Sequence, residues 1–451
     1  ENTNRALEMA TGEFIALMDH DDVITPDALY HLVKAVNEDA MADSVYSDED
    51  KMDMDGRKLF EPHFKPDFNI DYLRSCNYIC HMFMTRTSIA REVGGFRKPF
   101  DGAQDFDFIF RCTEKSRHVA HVPRVIYHWR CHVNSTAAVP ESKMYAYHAG
   151  VKSINEHCQR AGIPMTGELG TSYGYYRDVP VLDRKPSVDI IIHGDAAKAE
   201  QCIQCTKKLT YSNLSVMMCG GDAASVNRAV ASAAADYVLL LDSRITSLSE
   251  DLVEQLMGYV QRKDVAMAAA RTSNLEDKIY HAFLVMGIDK SFGYGFHQLD
   301  KGNNGYFMRI NAPQDVSGVD ITCTLIRRAD YMAAGQLDES MPAEYAAADL
   351  CLKVAQLNDE GSRDSRADEE EDAKTPQMWR DMHKIVYVPY AEAVINASVE
   401  PEWHIDEEDE KFNKKWSSVL RQTDRYYNRN LTKRDTNFTI LSSMELKNED
   451  L

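Results

Sequence analysis

The sequence predicts an α/β protein made of two copies of one structural unit, and three observations carry that prediction. The stretch "NRALEMATGEFIALMDHDD" from Asn4 is echoed by "NRAVASAAADYVLLLDSRI" from Asn227, and the offset, 227 − 4 = 223, also carries Asp19 onto Asp242 without a gap. Each copy alternates a helix-period segment with a β-branched and aromatic run, the pattern of alternating helices and strands. A second echo follows in the same order: "MTRTSIAREVGGFRK" (84–98) and "LIRRADYMAAGQLDE" (325–339), trailed by the acidic-apolar helices "QDFDFIFRC" and "AADLCLKV".

The elements follow in order. An Ala-rich helix pattern leads into an apolar strand, Phe14 to Met18, and then an acidic loop with Asp19, Asp21 and Asp22. The next helix, "PDALYHLVKAV", starts at Thr25-Pro26-Asp27, with Thr as cap and Pro in the first turn. Its counterpart in the second copy is "SEDLVEQLMGYV". Upstream of Asn227, "VDIIIHGDAAKAEQCIQCTKKL" and "LSVMMCGGD" read as strand, helix and strand, whereas the first copy has nothing before Glu1. The expectation is a first domain incomplete at its N-terminus, and a chain inactive by itself. The expected domains are 1–140, a linker helix and strand over 141–185, a second domain over 186–398 with a disordered acidic insert at about 357–377, and a helical tail over 399–451.

The 451 residues, 44% hydrophobic and 27% charged, are ample for globular cores. A net charge of −20 argues against a nucleic-acid partner. The ten cysteines lack paired zinc spacing and read as free thiols of a cytosolic protein. No apolar run reaches the roughly 20 residues that span a bilayer.

The acidic loop poses the chemical question. Neighbouring carboxylates repel by about 4 kcal/mol per pair at an effective dielectric near 20, so a cation, a donor or solvent must offset them. A strand that ends in D-x-D-D puts oxygen ligands at the carboxyl edge of a sheet, where open α/β folds bind ligands. Oxygen-only ligation suits Mg²⁺ or Mn²⁺ shared with a diphosphate. Taken alone, D-x-D is equally a solvated loop with a helix-capping Asp.

The ordered set N-x-A…G-E-F-I-A-L-x-D-x-D-D (Asn4 to Asp22), "VYSDEDKMDMDG", "HFKPDF", "NYICHMFMTR", "GGF", "GAQDFDFIFRCTE" and "VIYHWRCHVNSTA" resembles family 2 of the glycosyltransferases. The resemblance runs from Glu1 to about Ala138 and more loosely over Val188 to Ile395. It implies two tandem A-type glycosyltransferase domains, Rossmann-like with a mixed central sheet. It further implies inverting transfer of a sugar from a nucleotide diphosphate to a saccharide or lipid-linked saccharide acceptor, in synthesis of a bacterial surface polysaccharide. On this resemblance Asp21, with Asp19 and Asp22, holds Mn²⁺ or Mg²⁺, and Asp105 is the general base. Gln104 stands where the family carries Glu. Arg130 is the expected diphosphate clamp, and His128 and His132 offer imidazoles to metal or phosphate, or serve structure. Trp129 packs or floors the acceptor, Asp48 and Glu49 either bond sugar hydroxyls or line a solvated loop, and His81 lies where the acceptor approaches. The implied setting is the cytosol, at the inner face of the plasma membrane, with peripheral membrane association and homo-oligomerisation open.

The second copy departs from the pattern. It reads Asp242-Ser243-Arg244-Ile245 at the loop and carries Ala347 at the base position. Arg244 would repel a divalent ion. The second domain is therefore expected to fold without catalysing. The alternative for the whole chain is a saccharide- or nucleotide-binding subunit without catalysis.

Overall fold

Each copy folds around its own sheet. The computed structural model describes residues 2–131, 144–361, 377, 383–398 and 404–441. They divide into one unit up to Val179, with which Gln377 belongs, and another from Pro180 onward.

The first unit contains β1 (Phe14–Leu17), β2 (Val23–Ile24), β3 (Ala42–Met52), β4 (Leu59–His63), β5 (Phe83–Arg86) and β6 (His118–Arg130), followed by the hairpin of β7 (Met165–Leu169) and β8 (Tyr176–Pro180). The sheet order is β1-β5-β3-β6-β2, with β4 added to β3. Only β3 and β6 run parallel; the other pairs are antiparallel. The helix Ala28–Glu38 buries Ala28 and Leu32 on the sheet, against Val45, Met84, Val122 and Ile126, which is the i, i+4 stripe of an amphipathic helix.

The second unit contains β9 (Val188–His193), β10 (Leu214–Cys219), β11 (Tyr237–Asp242), β12 (Ile245–Leu248), β13 (Val265–Asn274), β14 (Ile279–His281), β15 (Leu284–Met286), β16 (Phe292–Tyr294), β17 (Gln314–Asp315), β18 (Cys323–Arg327) and β19 (Lys384–Ile395). Its main sheet runs β10-β9-β11-β18-β13-β19-β12. From β11 onward this repeats the first sheet strand for strand, with the same single parallel pair, β13 with β19. The register agrees too: Phe14 faces Arg86 as Tyr237 faces Arg327. Two strands, β9 and β10, lie parallel beside β11. The apolar run of β9 is buried along its length, as a strand inside a parallel sheet requires.

One clamp explains the paired Asn residues of the repeat. Asn4 accepts from Phe96 N (2.8 Å) and donates to Phe96 O (2.8 Å). Asn227 does the same to Leu337, at 3.1 and 3.0 Å. Each side chain satisfies both backbone groups of a turn that no strand reaches. Gly95, at φ +65°, allows this approach, since a Cβ there would lie 2.6 Å from Asn4 Oδ1.

The helix Met144–Ala161, expected as a linker, packs within the first unit through Arg160 to Glu114 (2.6 Å) and Glu156 to Arg97 (2.9 Å). In its centre Arg74 Nε donates to His157 Nε2 (3.2 Å), so the neutral ring donates from Nδ1 to Glu114 (2.7 Å). Burial, helped by the Arg74 and Arg160 charges and opposed by Glu114, depresses His157 to about 4. The unfolded chain therefore takes up a proton near pH 6.5 that the native ring refuses until about 4. Stability is full above pH 6.5 and falls as pH drops toward 4, by about 3 kcal/mol at about 1.4 kcal/mol per pH unit. Urea unfolding at pH 7 and 4.5 checks this: His157→Gln should flatten the loss, and a loss identical to wild type removes the assignment.

The tail helix Asp406–Lys415 belongs to the second unit, where Lys415 reaches the buried Asp349 at 2.6 Å. The expected acidic insert lies outside the described residues over 362–376. The ten cysteines are all free thiols. Among the described residues no helix is long and apolar enough to cross a membrane.

Candidate active site

Register brings the sequence motifs to one edge of the first sheet. Leu17 ends β1 opposite Phe83, which starts β5, and Phe83 also faces Tyr46 on β3. Beyond that row lie the acidic loop, the end of β3, the segment before β5 and, because β6 runs parallel to β3, Tyr127 to Arg130.

Asp22 is buried, and each of its oxygens accepts one hydrogen bond. Tyr127 Oη donates to Asp22 Oδ2, and Arg130 N donates to Oδ1 at 2.7 Å. Asp19 is more open; its N–H donates to Tyr127 Oη (3.2 Å), and its Oδ2 lies 3.7 Å from His81 Nε2. The His81 ring stacks on Tyr127 with centroids 4.8 Å apart and planes 9° apart. On its other side, His81 Nδ1 lies 3.4 Å from Glu49 Oε2, which also lies 3.4 Å from Nζ of the fully buried Lys65. Lys65 Nζ donates to the carbonyls of Ile79 (3.0 Å) and His81 (2.5 Å), which ties the loop to the interior.

These contacts set the charges. Burial works against ionising Glu49, but Lys65, with His63 and His81, holds it well below the usual carboxylate range. Burial opposes the imidazolium of His81, yet Cys80, Asp19 and Glu49 raise its pKa well above 6.5, so a cation bound at this ring would displace its proton. Burial raises Asp22. The hydrogen bond from His81 lowers Asp19.

Asp19, Asp22 and His81 each present a ligand atom, and all three atoms lie within 4.8 Å of one another. Two carboxylates and an imidazole, with carboxylate lone pairs to spare, fit Mn²⁺ and leave positions for phosphate oxygens. His81, expected near the acceptor, thus joins the acids. Asp21 stands outside the group, half exposed and 3.9 Å from His20. His132 lies outside the described residues.

Asp105 sits in the first turn of the helix Gln104–Thr113. Its Oδ2 accepts from Asn77 Nδ2 (3.0 Å) and from Cys80 Sγ (3.5 Å), and Cys80 Sγ is 3.5 Å from His81 Nε2. Burial raises the Cys80 thiol to about 11, so it donates as a neutral S–H. A continuous set of contacts, Asp105–Cys80–His81–Asp19, therefore joins the helix start to the acidic loop.

The other expected residues are placed as follows. Arg130 is anchored by its side chain to the carbonyls of Asp21 (2.7 Å) and Met54 (2.8 Å). His128 pairs with Asp50 (2.5 Å). Trp129 lies 5.9 Å from His81, ring to ring. Gln104 turns back to accept from Gly102 N (2.7 Å). Asp48 is buried and accepts from Lys65 N and His121 Nε2, both at 2.9 Å. Asn77, Cys80, Lys65 and Tyr127 were not expected. For Tyr127 a signal existed, since strand alternation puts it on one face with Trp129 and leaves His128 on the other.

The second unit offers the same positions with different chemistry. By register Thr322 stands for His81 and Ala393 for Tyr127. Ile245, in place of Asp22, is fully buried. Arg244 lies on Asp242 through Nε–Oδ1 (3.0 Å) and Nη2–Oδ2 (2.7 Å). Ala347 is buried and carries no ionisable group.

Known proteins match the first unit and, in two cases, most of the chain. The model of Glycosyl transferase family 2 matches residues 1–94. The protein y4gI of Sinorhizobium fredii is 32% identical over 394 residues, which are 78% of this chain and 43% of that protein. The O-antigen biosynthesis protein RfbC of Myxococcus xanthus is 24% identical over 394 residues, 80% of this chain and 30% of its own length. Chondroitin synthase of Escherichia coli is 25% identical over 162 residues, 36% and 23% of the two chains. The chain thus spans less than half the length of these relatives. A mannosyltransferase from Pyrobaculum calidifontis, solved with GDP-Man and Mn²⁺, aligns over 55% of this chain and 68% of its own at 9% identity and a TM-score of 0.35. Residues 1–94 of this chain thus match glycosyltransferase family 2.

Proposed function

We propose that the first unit is a metal-dependent inverting glycosyltransferase that moves a sugar from a nucleotide-diphosphate donor to a saccharide acceptor. The acceptor hydroxyl attacks the anomeric carbon as the bond to the diphosphate breaks, and Asp105 takes the hydroxyl proton. Asn77 and Cys80 orient the Asp105 carboxylate for that transfer. Asp19, Asp22 and His81 would hold Mn²⁺ or Mg²⁺, which when bound supplies Lewis-acid stabilisation of the departing diphosphate. Arg130, its main-chain anchors already made, pairs with diphosphate oxygens. The relatives named for O-antigen biosynthesis and chondroitin synthesis support a polysaccharide product. A cytosolic site at the inner face of the bacterial membrane, where lipid-linked acceptors lie, follows from that product.

The contact set from Asp105 to Asp19 supports this reading, because it joins Asp105 through Cys80 and His81 to the acidic loop. Mn²⁺ titration followed by electron paramagnetic resonance tests the metal group. Asp19→Asn and Asp22→Asn should each weaken Mn²⁺ binding by about 10–100-fold, and Asp21→Asn should weaken it less. Equal effects of Asp21→Asn and Asp19→Asn would move the site.

A further inference from the structure

The second unit carries an open cavity of about 320 Å³ at the carboxyl ends of β9 and β11. Three rings form one wall: Tyr280 and His281 lie 4.2 Å apart at 74°, and His281 and Tyr294 lie 4.2 Å apart at 47°. Asp320 holds His281 Nε2 at 2.6 Å, while His281 Nδ1 is buried and without a hydrogen-bond partner. Arg244, locked on Asp242, completes the lining with its Nη2 3.5 Å from Tyr280 Oη.

The charges decide what can enter. Asp195, Asp242, Asp320 and Glu344 line the cavity against two cations, Lys198 and Arg244, and Asp242 already neutralises Arg244. The lining is net negative, which repels a nucleoside diphosphate. The positions that present Asp19, Asp22 and His81 in the first unit here carry Asp242, itself covered by Arg244, with Ile245 and Thr322, so the same three-ligand group does not form. An uncharged polyol meets no such barrier. Its hydroxyls donate charge-assisted hydrogen bonds to the carboxylates, and the C–H face of a pyranose packs on aromatic rings. The volume falls near the lower end of the about 300–1,000 Å³ of small-molecule sites, which suits a terminal sugar better than a nucleotide sugar.

We propose that the cavity of the second unit binds a neutral saccharide without a metal ion, at the place in the sheet where the first unit carries its acidic loop. The inference rests on the second unit alone and stands or falls apart from the transfer chemistry of the first.

Saturation-transfer nuclear magnetic resonance on the whole chain in EDTA tests it, with neutral disaccharides of glucose, galactose and rhamnose at millimolar concentration and UDP as comparison. At least one disaccharide should receive saturation, with UDP silent. That signal should persist in Asp19→Asn/Asp22→Asn, which breaks only the first unit's group. It should fall about tenfold in Tyr280→Ala and in Glu344→Gln; the latter changes an exposed residue, and circular dichroism checks the fold of both. Silence from every disaccharide, a signal untouched by both variants, or UDP binding that depends on Arg244 overturns the proposal.

Discussion

Asp105→Asn should lower turnover by about 10²–10⁴-fold in any preparation competent for transfer, the range expected when a positioned base is removed. The substitution is nearly isosteric. The amide oxygen it introduces can still accept from Asn77 Nδ2, which lies 3.0 Å from Asp105 Oδ2, so the helix start keeps its geometry. What disappears is a group able to take a proton from the acceptor hydroxyl. The loss should therefore fall on kcat, with donor KM and Mn²⁺ affinity within a few-fold of wild type. Initial rates against donor concentration, paired with an Mn²⁺ titration, separate these terms. Turnover within tenfold of wild type would leave the reaction without its proposed base. A matched loss of Mn²⁺ binding would instead make Asp105 part of the metal group.

Lys65→Met should destabilise the first unit by about 3–5 kcal/mol, because it strands a buried carboxylate. Lys65 is fully buried with its ammonium 3.4 Å from Glu49 Oε2. Met keeps an unbranched apolar stem one heavy atom shorter than Lys, so the loss is chiefly electrostatic rather than steric. Glu49 would retain only His63 at 3.7 Å and His81 at 3.4 Å. Two loop carbonyls, of Ile79 and His81, would lose their donor as well. The double variant Lys65→Met/Glu49→Gln removes the stranded charge and should recover more than half of the loss, a coupling that urea unfolding of both variants measures. A single variant within 1 kcal/mol of wild type, against the usual cost of a broken buried pair, would show that solvent reaches Glu49.

Much of this was legible because repeats and strands are local patterns. The gapless step of 223 between Asp19 and Asp242 reappears in the registers of β1 on β5 and β11 on β18. What stayed hidden are partnerships across long separations. No spacing in the sequence says that His81 stacks on Tyr127 or that Lys65 reaches Glu49. The pair Asp48 and Glu49 was hidden in the same way. Alternation would expose one of them, but β3 lies inside the sheet between β5 and β6 and is buried on both faces from Ala42 to Asp48. Asp48 is consequently buried, and Glu49 nearly so. The linker expected around residues 141–185 was misplaced for a different reason. The helical period of Met144–Ala161 identifies the element, but the buried His157–Arg74 contact that attaches it to the first unit has no sequence signature.

The duplicated turn clamp turns the protein into its own subtraction experiment. Asn4 and Asn227 do identical work in halves whose acidic loops have diverged, so whatever the halves share belongs to architecture and whatever separates them belongs to chemistry. Giving the later half the residues of the earlier acidic loop would take removal of Arg244 together with Ile245→Asp, Thr322→His and Ala393→Tyr. No single substitution makes the two loops alike, so the halves are separated by several simultaneous changes.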